Sequence, residues 1–239
     1  MTTAKHPRQG FALAHGTDRT MFEYMQAHPA KADQFTKAMR FYSSGVPGYS
    51  ESHLVRGYDW GALGEATVVD VGGADGHVSR ALGEAHPQLD LVVEDLPDVV
   101  AAAAEQTPPM RRIRYEPHDF FCRQPVVAAD VYLFRWVFHD WPDHYVVRIL
   151  RAQVPALRKG SRILVNESLS ARPGTLPLSL ERTVRFIDLL MLTTNNSRLR
   201  TLAEWQDLFT AADARFGRVR SLAPGGAALA ILEVVWESD

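Results

Sequence analysis

Asp70, Gly72, Gly73, Gly76 and Asp95 are the residues whose types and spacing most plainly imply chemistry in this chain. The three glycines follow an apolar run, Thr67–Val71, and Asp95 ends the next one, which begins at Leu89. Glycine lets a ligand approach the main chain where a Cβ would collide. A carboxylate at the tip of the second strand can accept both hydroxyls of a ribose. A nucleoside is therefore the predicted ligand. The G-x-G-x-x-G spacing that seats a pyrophosphate on a helix N-terminus is not matched. Asp70, two residues before the first glycine, suits a cationic amino group and no phosphate.

S-adenosylmethionine (SAM) is a ligand of that description. His139 brings a second chemistry. It follows the fourth predicted strand, and a neutral imidazole near pH 7 can take the proton of a weakly nucleophilic hydroxyl. Asp140, beside it, is either a partner for that ring or a cap for the helix that starts near Asp143.

The elements that must position these groups alternate. Strands are predicted at Thr67–Val71, Leu89–Glu94, Arg112–Pro117, Val131–Arg135 and Arg162–Glu167, with a closing pair near Arg218–Leu222 and Ala227–Trp236. Helices are predicted at Gly76–His86, Pro97–Ala104, His144–Leu157, Leu178–Leu192 and Leu202–Ala212. Alternation of this kind predicts an α/β fold with a doubly wound, mainly parallel sheet. Ahead of it, Thr20–Met39 reads as two helices broken near His28-Pro29. Ser43–Ser50, with Gly45, Pro47 and Gly48, reads as a loop, and Ser50–Tyr58 as a short helix. Residues 1–60 then form a helical lead into a ligand-binding domain over 61–239.

Composition narrows the class. With 239 residues, 46% apolar and 23% charged, one globular domain is expected. A net charge of −2 argues against a dedicated nucleic-acid binder. No long apolar run implies a membrane helix, and MTTAKHPRQG has no signal-peptide core. The single cysteine, Cys122, fits a reducing cytoplasm, and the scattered histidines imply no metal site.

Six segments together give the chain a resemblance. They are Phe22-Glu23-Tyr24, Asp70–Gly76, Asp95-Leu96-Pro97, His118-Asp119-Phe120-Phe121, Arg135–Pro142 and Leu164-Val165-Asn166-Glu167. In this order the chain resembles the class I SAM-dependent O-methyltransferases of small phenolic and polyketide-type molecules. The resemblance implies a Rossmann-like, seven-stranded sheet with its last strand antiparallel. It implies SAM as cofactor, S-adenosylhomocysteine as product, and a small-molecule acceptor. By resemblance Asp70 and Gly72–Gly76 face the methionine moiety, and Asp95 takes the ribose. Leu96 and Phe120 pack on adenine, Asp119 meets its amino group, and Arg135 lies near the cofactor. Phe22, Met39 and Ser43 match positions that close over SAM. The plainer readings are core for Phe22 and Met39 and a helix cap for Ser43. Glu167 matches the residue that hydrogen-bonds the catalytic histidine and raises its basicity. Trp136, Asp188 and Asn195, with Phe186 and Met191, fall where relatives line the acceptor pocket.

The chain departs from that family in three places. Ala74 replaces a common glycine. Leu199 stands where many relatives have a second glutamate. An N-terminal dimerisation domain is expected to be absent, so a homodimer is expected only if the full protein carries one. The leading expectation is O-methyl transfer with His139 as general base. The alternatives are a non-methylating dehydration or pericyclic reaction and a non-catalytic SAM-binding module.

Overall fold

A computed structural model describes residues 9–106 and 108–238. The seven strands are β1 (Thr67–Val71), β2 (Asp90–Asp95), β3 (Ile113–Pro117), β4 (Val131–Arg135), β5 (Arg162–Glu167), β6 (Arg220–Leu222) and β7 (Ala230–Val235). They form one sheet in the order β3-β2-β1-β4-β5-β7-β6. The first five pair in parallel, β7 runs antiparallel to β5, and β6 antiparallel to β7. The expected doubly wound, mainly parallel architecture is thus observed. Strand order reverses between β1 and β4, which opens a crevice beyond their carboxyl ends, the place where such sheets take ligands.

Strand periodicity divides the core in two. On β4, Tyr132 and Phe134 face one layer while Val131 and Leu133 face the other. The first layer packs on helix α7 (Asp143–Gln153) through Val146 and Ile149, and on α9 (Leu202–Ala212) through Trp205 and Phe209. The second packs on α4 (Ser52–Gly57) through Leu54 and on α5 (His77–Ala85) through Val78 and Leu82. β4 is buried along its whole length, so its end is a rigid platform for the residues that follow.

The lead before the sheet holds α1 (Gly10–Ala14), α2 (Met21–Gln26) and α3 (Pro29–Gly45), and α6 (Pro97–Gln106) and α8 (Leu178–Asn195) complete the helices. Thr20 starts α2 with a capping box: its Oγ accepts from Glu23 N, and its own N–H donates to the Glu23 carboxylate at 2.9 Å. The break at His28-Pro29 is present. The loop expected over Ser43–Ser50 is not: α3 continues to Gly45, and Pro47–Tyr49 forms a 3₁₀ turn. Ser43 is therefore a buried residue in the last turn of α3 and not a helix cap.

Candidate active site

The β1–α5 turn is drawn tight by its neighbour strand, because Gly72 N and Gly73 N both donate to Glu94 O, at 2.8 and 3.0 Å. Gly72 has φ +75°, and a Cβ there would stand 2.9 Å from Val137 Cγ2, so only glycine fits. Gly76 also has φ +75°, but its open side meets Tyr115, whose hydroxyl would be 2.6 Å from a Cβ. Expected at the cofactor, Gly76 lies outside the cavity wall and serves close helix–strand packing.

Ala74 lies between them with φ +50°, a conformation that costs an L-residue about 1 kcal/mol. Ala74→Gly should relieve that cost, less the roughly 0.5–1 kcal/mol of extra freedom glycine has when unfolded, and stabilise the fold by up to about 0.5 kcal/mol. Calorimetry should find the midpoint raised by up to about 2 °C; a lowered midpoint would show that the turn relaxes without help.

A cavity of about 1540 Å³ opens beyond this turn. Its walls include Asp70, Gly72, Gly73, Asp95, Leu96, Asp119, Phe120, Arg135, Trp136, His139 and Asp140, and from the lead Phe22, Met39 and Ser43. The structure therefore brings most of the residues picked out in the sequence into one space. That volume exceeds the ~300–1,000 Å³ of an ordinary single-ligand pocket, leaving room for two molecules side by side.

Asp95 Oδ2 accepts the Ala74 N–H at 2.9 Å and Oδ1 the Leu96 N–H at 2.8 Å. Its carboxylate is thus fixed at the cavity edge with lone pairs to spare. Asp70 is buried and accepts from Ser79 Oγ at 2.7 Å; burial raises its pKa, while His77 and Arg135 oppose that. Asp119 accepts from Phe121 N at 3.0 Å, so it shapes its own turn while still facing the cavity. Phe22 and Trp141 stack at 6.2 Å, and Phe120 meets Trp141 edge-on at 5.9 Å. Arg135 donates to Asn166 Oδ1 and to Tyr49 O, and its guanidinium carbon sits 4.7 Å from the Trp136 ring centre. Burial lowers the Arg135 pKa to about 10, which leaves it charged at neutral pH.

β4 leads through Trp136, a bulky residue at φ +54°, into a 3₁₀ turn at Phe138–Asp140. Such strain in a bulky residue is retained where the surroundings over-determine it, and here it places the indole in the cavity wall. The His139 side chain is 14% exposed, with Nε2 3.7 Å from Asp140 Oδ1. Asn195 Nδ2 donates to that same Asp140 oxygen at 2.7 Å.

Four expectations are corrected here. Glu167 does not hydrogen-bond the imidazole: its Oε1 accepts the main-chain N–H groups of Phe138, at 2.7 Å, and His139, at 3.1 Å. The His139 pKa is not raised but lowered, to about 4, by burial first and then by the charge of Arg200. Asp188 lies outside the cavity wall and accepts from Leu199 N at 2.7 Å. Asn195 also lies outside the wall and acts behind Asp140. Phe186 and Met191 do line the cavity. Leu199 is buried and carries no carboxylate, and the Asp140 carboxyl lies 3.7 Å from the ring. Burial and the neighbouring Glu167 push the Asp140 carboxyl well above its usual range.

Sequence reasoning passed over His77, His118, Tyr42, Tyr49 and Phe121, all in the wall. His118 stood in a quoted segment, and its place just after β3 was the available signal. The Nε2 atoms of His77 and His118 and the Nε of Arg135 are buried without a hydrogen-bond partner among the described residues. Orphaned polar atoms on cavity-lining residues are open to a polar ligand. Among the described residues, no cluster of three or more His, Cys, Asp or Glu is placed to hold a metal ion, and no helix is long and apolar enough to cross a membrane.

A family model described as an O-methyltransferase domain matches residues 2–215. The chain belongs to the O-methyltransferase domain family. It is 47% identical over 235 residues to the grayanic acid biosynthesis cluster O-methyltransferase of Cladonia grayi, a match covering 97% of this chain and 52% of that protein. The chain spans about half the length of the curated relatives it matches. Among solved structures it is similar to the mitomycin 7-O-methyltransferase MmcR, at 31% identity and TM-score 0.79 over 94% of this chain and 62% of that one. It is also similar to a pericyclic reaction enzyme, at 27% identity and TM-score 0.76 over 96% of this chain and 58% of that one. This O-methyltransferase domain therefore shares its fold with an O-methyltransferase and a pericyclic reaction enzyme alike.

Proposed function

We propose that this domain binds SAM and transfers its methyl group to a hydroxyl of a phenolic, enolic or polyketide-type metabolite, with His139 as general base. The observation that carries the reading is the shared cavity, in which the Asp70–Asp95 wall and His139 face one volume large enough for cofactor and acceptor together. Asp95 would accept the ribose hydroxyls and Asp70 the amino group. Leu96 and Phe120 would hold the adenine, with Asp119 at its edge. Bound SAM supplies an electrophilic methyl group. His139 takes the acceptor proton as the oxygen attacks, and alignment by the Trp136, Phe186 and Met191 walls supplies much of the rate. Asp140, whose Oδ1 lies 3.7 Å from Nε2, is the acid placed to pair with the ring once it is charged. Cytoplasmic residence and homodimerisation of a longer protein belong to the same proposal. The exposed apolar side chains of α8, Leu178, Leu180, Leu189 and Leu192, support a covered face.

A second reading has specific support. No carboxylate hydrogen-bonds the His139 ring among the described residues, and a pericyclic enzyme is among the similar structures. The chain would then bind SAM and steer a dehydration or ring closure without methylation. The test is S-adenosylhomocysteine release from SAM across a panel of phenols. Release that depends on an acceptor is the expected result. SAM binding with no release for any phenol, together with turnover of a polyene or alcohol, would favour the second reading.

A further inference from the structure

The turn that carries His139 is gripped from two sides by opposite charges. On one side the Glu167 carboxylate accepts the N–H groups of Phe138 and His139. On the other, Arg200 donates from Nη1 to Phe138 O at 3.0 Å and from Nη2 to Trp141 O at 2.6 Å. The Arg200 Nε is held by Asp143 Oδ1 at 2.8 Å, and its guanidinium carbon lies 5.5 Å from the Trp205 ring centre. Arg200 is 1% exposed and Glu167 2%. Burying two ions costs several kcal/mol each, and here Glu167 is held by main-chain N–H groups of the turn and Arg200 by its carbonyls and the Asp143 carboxylate.

We propose that Arg200 is a positioning residue for the reaction, acting with Glu167 as a two-sided main-chain clamp that aims the His139 ring and places a fixed positive charge behind it. The inference rests on reading His139 as the base. A guanidinium cannot shed its proton, so that charge persists at every working pH. It favours an uncharged ring at rest and helps keep Glu167 ionised against its burial. Among the described residues, the charged and titratable groups that meet this turn include Asp140 on the turn itself, Glu167 from β5 and Arg200 ahead of α9, with Asp143 at the start of α7 holding Arg200. Arg198 lies beyond Asp143, donating to its Oδ2 at 2.9 Å. A planar fork reaches two carbonyls at once, whereas an ammonium is a single point. Lysine would keep the charge and lose the aim.

The test compares Arg200→Gln, Arg200→Lys, Glu167→Gln and the Glu167→Gln/Arg200→Gln double variant in kcat, SAM affinity and the pH profile of kcat/KM. Arg200→Gln should lower kcat by about 10–100-fold, the cost of a misplacement near 1 Å. It should keep SAM affinity within about twofold and move the acid limb up toward the ordinary imidazole range. Arg200→Lys should lose kcat with the acid limb in place. The double variant should lose less than the product of its singles, as expected for groups acting as one unit. Wild-type kcat and acid limb in a folded, SAM-binding Arg200→Gln protein would overturn the inference. Should the glutamine variants fail to fold, Asp143→Ala tests the same point, because it removes the half-exposed acceptor that holds the Arg200 Nε. A several-fold loss of kcat at unchanged SAM affinity is then expected, and native kcat would overturn the clamp. His139→Gln run alongside separates the two failures. Should it keep the native profile, the base reading fails; should it lose activity while Arg200→Gln does not, the clamp alone fails.

Discussion

Replacing His139 by glutamine should lower kcat by about 10²–10⁴-fold, the usual range for a lost acid–base group, while SAM affinity stays close to native. Glutamine keeps a polar side chain of similar reach in the wall but cannot take a proton. The groups proposed to hold the cofactor belong to other strands: Asp70 lies near the end of β1 and Gly72 just after it, Asp95 ends β2, and Asp119 follows β3. An acidic phenol is already ionised near neutral pH and needs no base, so the loss should shrink for it and stay large for a less acidic one. The pH dependence has a definite sign. The active ring is neutral, and burial followed by the Arg200 charge lowers its pKa from the ordinary 6.5 to about 4. Activity should therefore survive as pH falls through 6.5 and fade as it drops through about 4. Burial pushes Glu167 up to about 7. Its protonation adds only a shallow step, because a neutral carboxyl still has an oxygen to accept the Phe138 and His139 N–H groups. Full activity of His139→Gln on the less acidic phenol would place proton removal elsewhere.

What was legible in the sequence was local. The β1–turn–α5–β2 unit announces itself through apolar runs of strand length, glycines and an acid at a strand tip, all within one short stretch. Strand positions followed from the same signals, since a sheet buried on both faces writes itself as continuous apolar runs. The misses are long-range. Ser43-Ser44-Gly45 resembles loop punctuation, yet α3 runs through it, with Ser43 buried at the cavity. Glu167 was placed beside His139, but no spacing tells a ring contact from a main-chain contact. Gly76 looks the same in sequence as Gly72, and only Tyr115, folded in from β3, separates packing from ligand approach. The sign of the His139 shift was misjudged because a carboxylate neighbour is visible in a sequence and desolvation is not. Arg200 lies sixty-one residues beyond His139 and joins it only through the fold. Asp140, read as a ring partner or a helix cap, does lie beside the ring, whereas Asp188, read as a pocket residue, accepts from Leu199 N.

Asp95→Ala should weaken SAM binding by about 10²–10⁴-fold. Both carboxylate oxygens already accept one main-chain N–H, from Ala74 and from Leu96. Each has a further lone pair, so the group can accept two ribose hydroxyls without giving up its own anchors. Hydrogen bonds to a charged group contribute about 1.5–3 kcal/mol each, and two of them convert to that loss at about 1.4 kcal/mol per tenfold. The anchors add a second effect in the same direction. Without the carboxylate the Ala74 N–H loses its partner, and Ala74 is the residue held at φ +50°. The turn that faces the methionine end should then loosen, so the adenosine and methionine ends both bind less well. Asp95→Asn separates the two effects, because it keeps one oxygen to hold a main-chain N–H and loses the charge. Its affinity should fall between those of the native and alanine proteins. Burial raises the Asp95 pKa while the two N–H bonds lower it, so removing the group relieves one cost as it adds another, and the unfolding midpoint should move little. Titration calorimetry with SAM, checked against 5′-methylthioadenosine, which keeps the ribose and lacks the amino-acid tail, reads both arms. An unchanged SAM affinity in folded Asp95→Ala would remove Asp95 from the site, and an equal loss on both ligands with a native turn would assign its whole effect to the ribose.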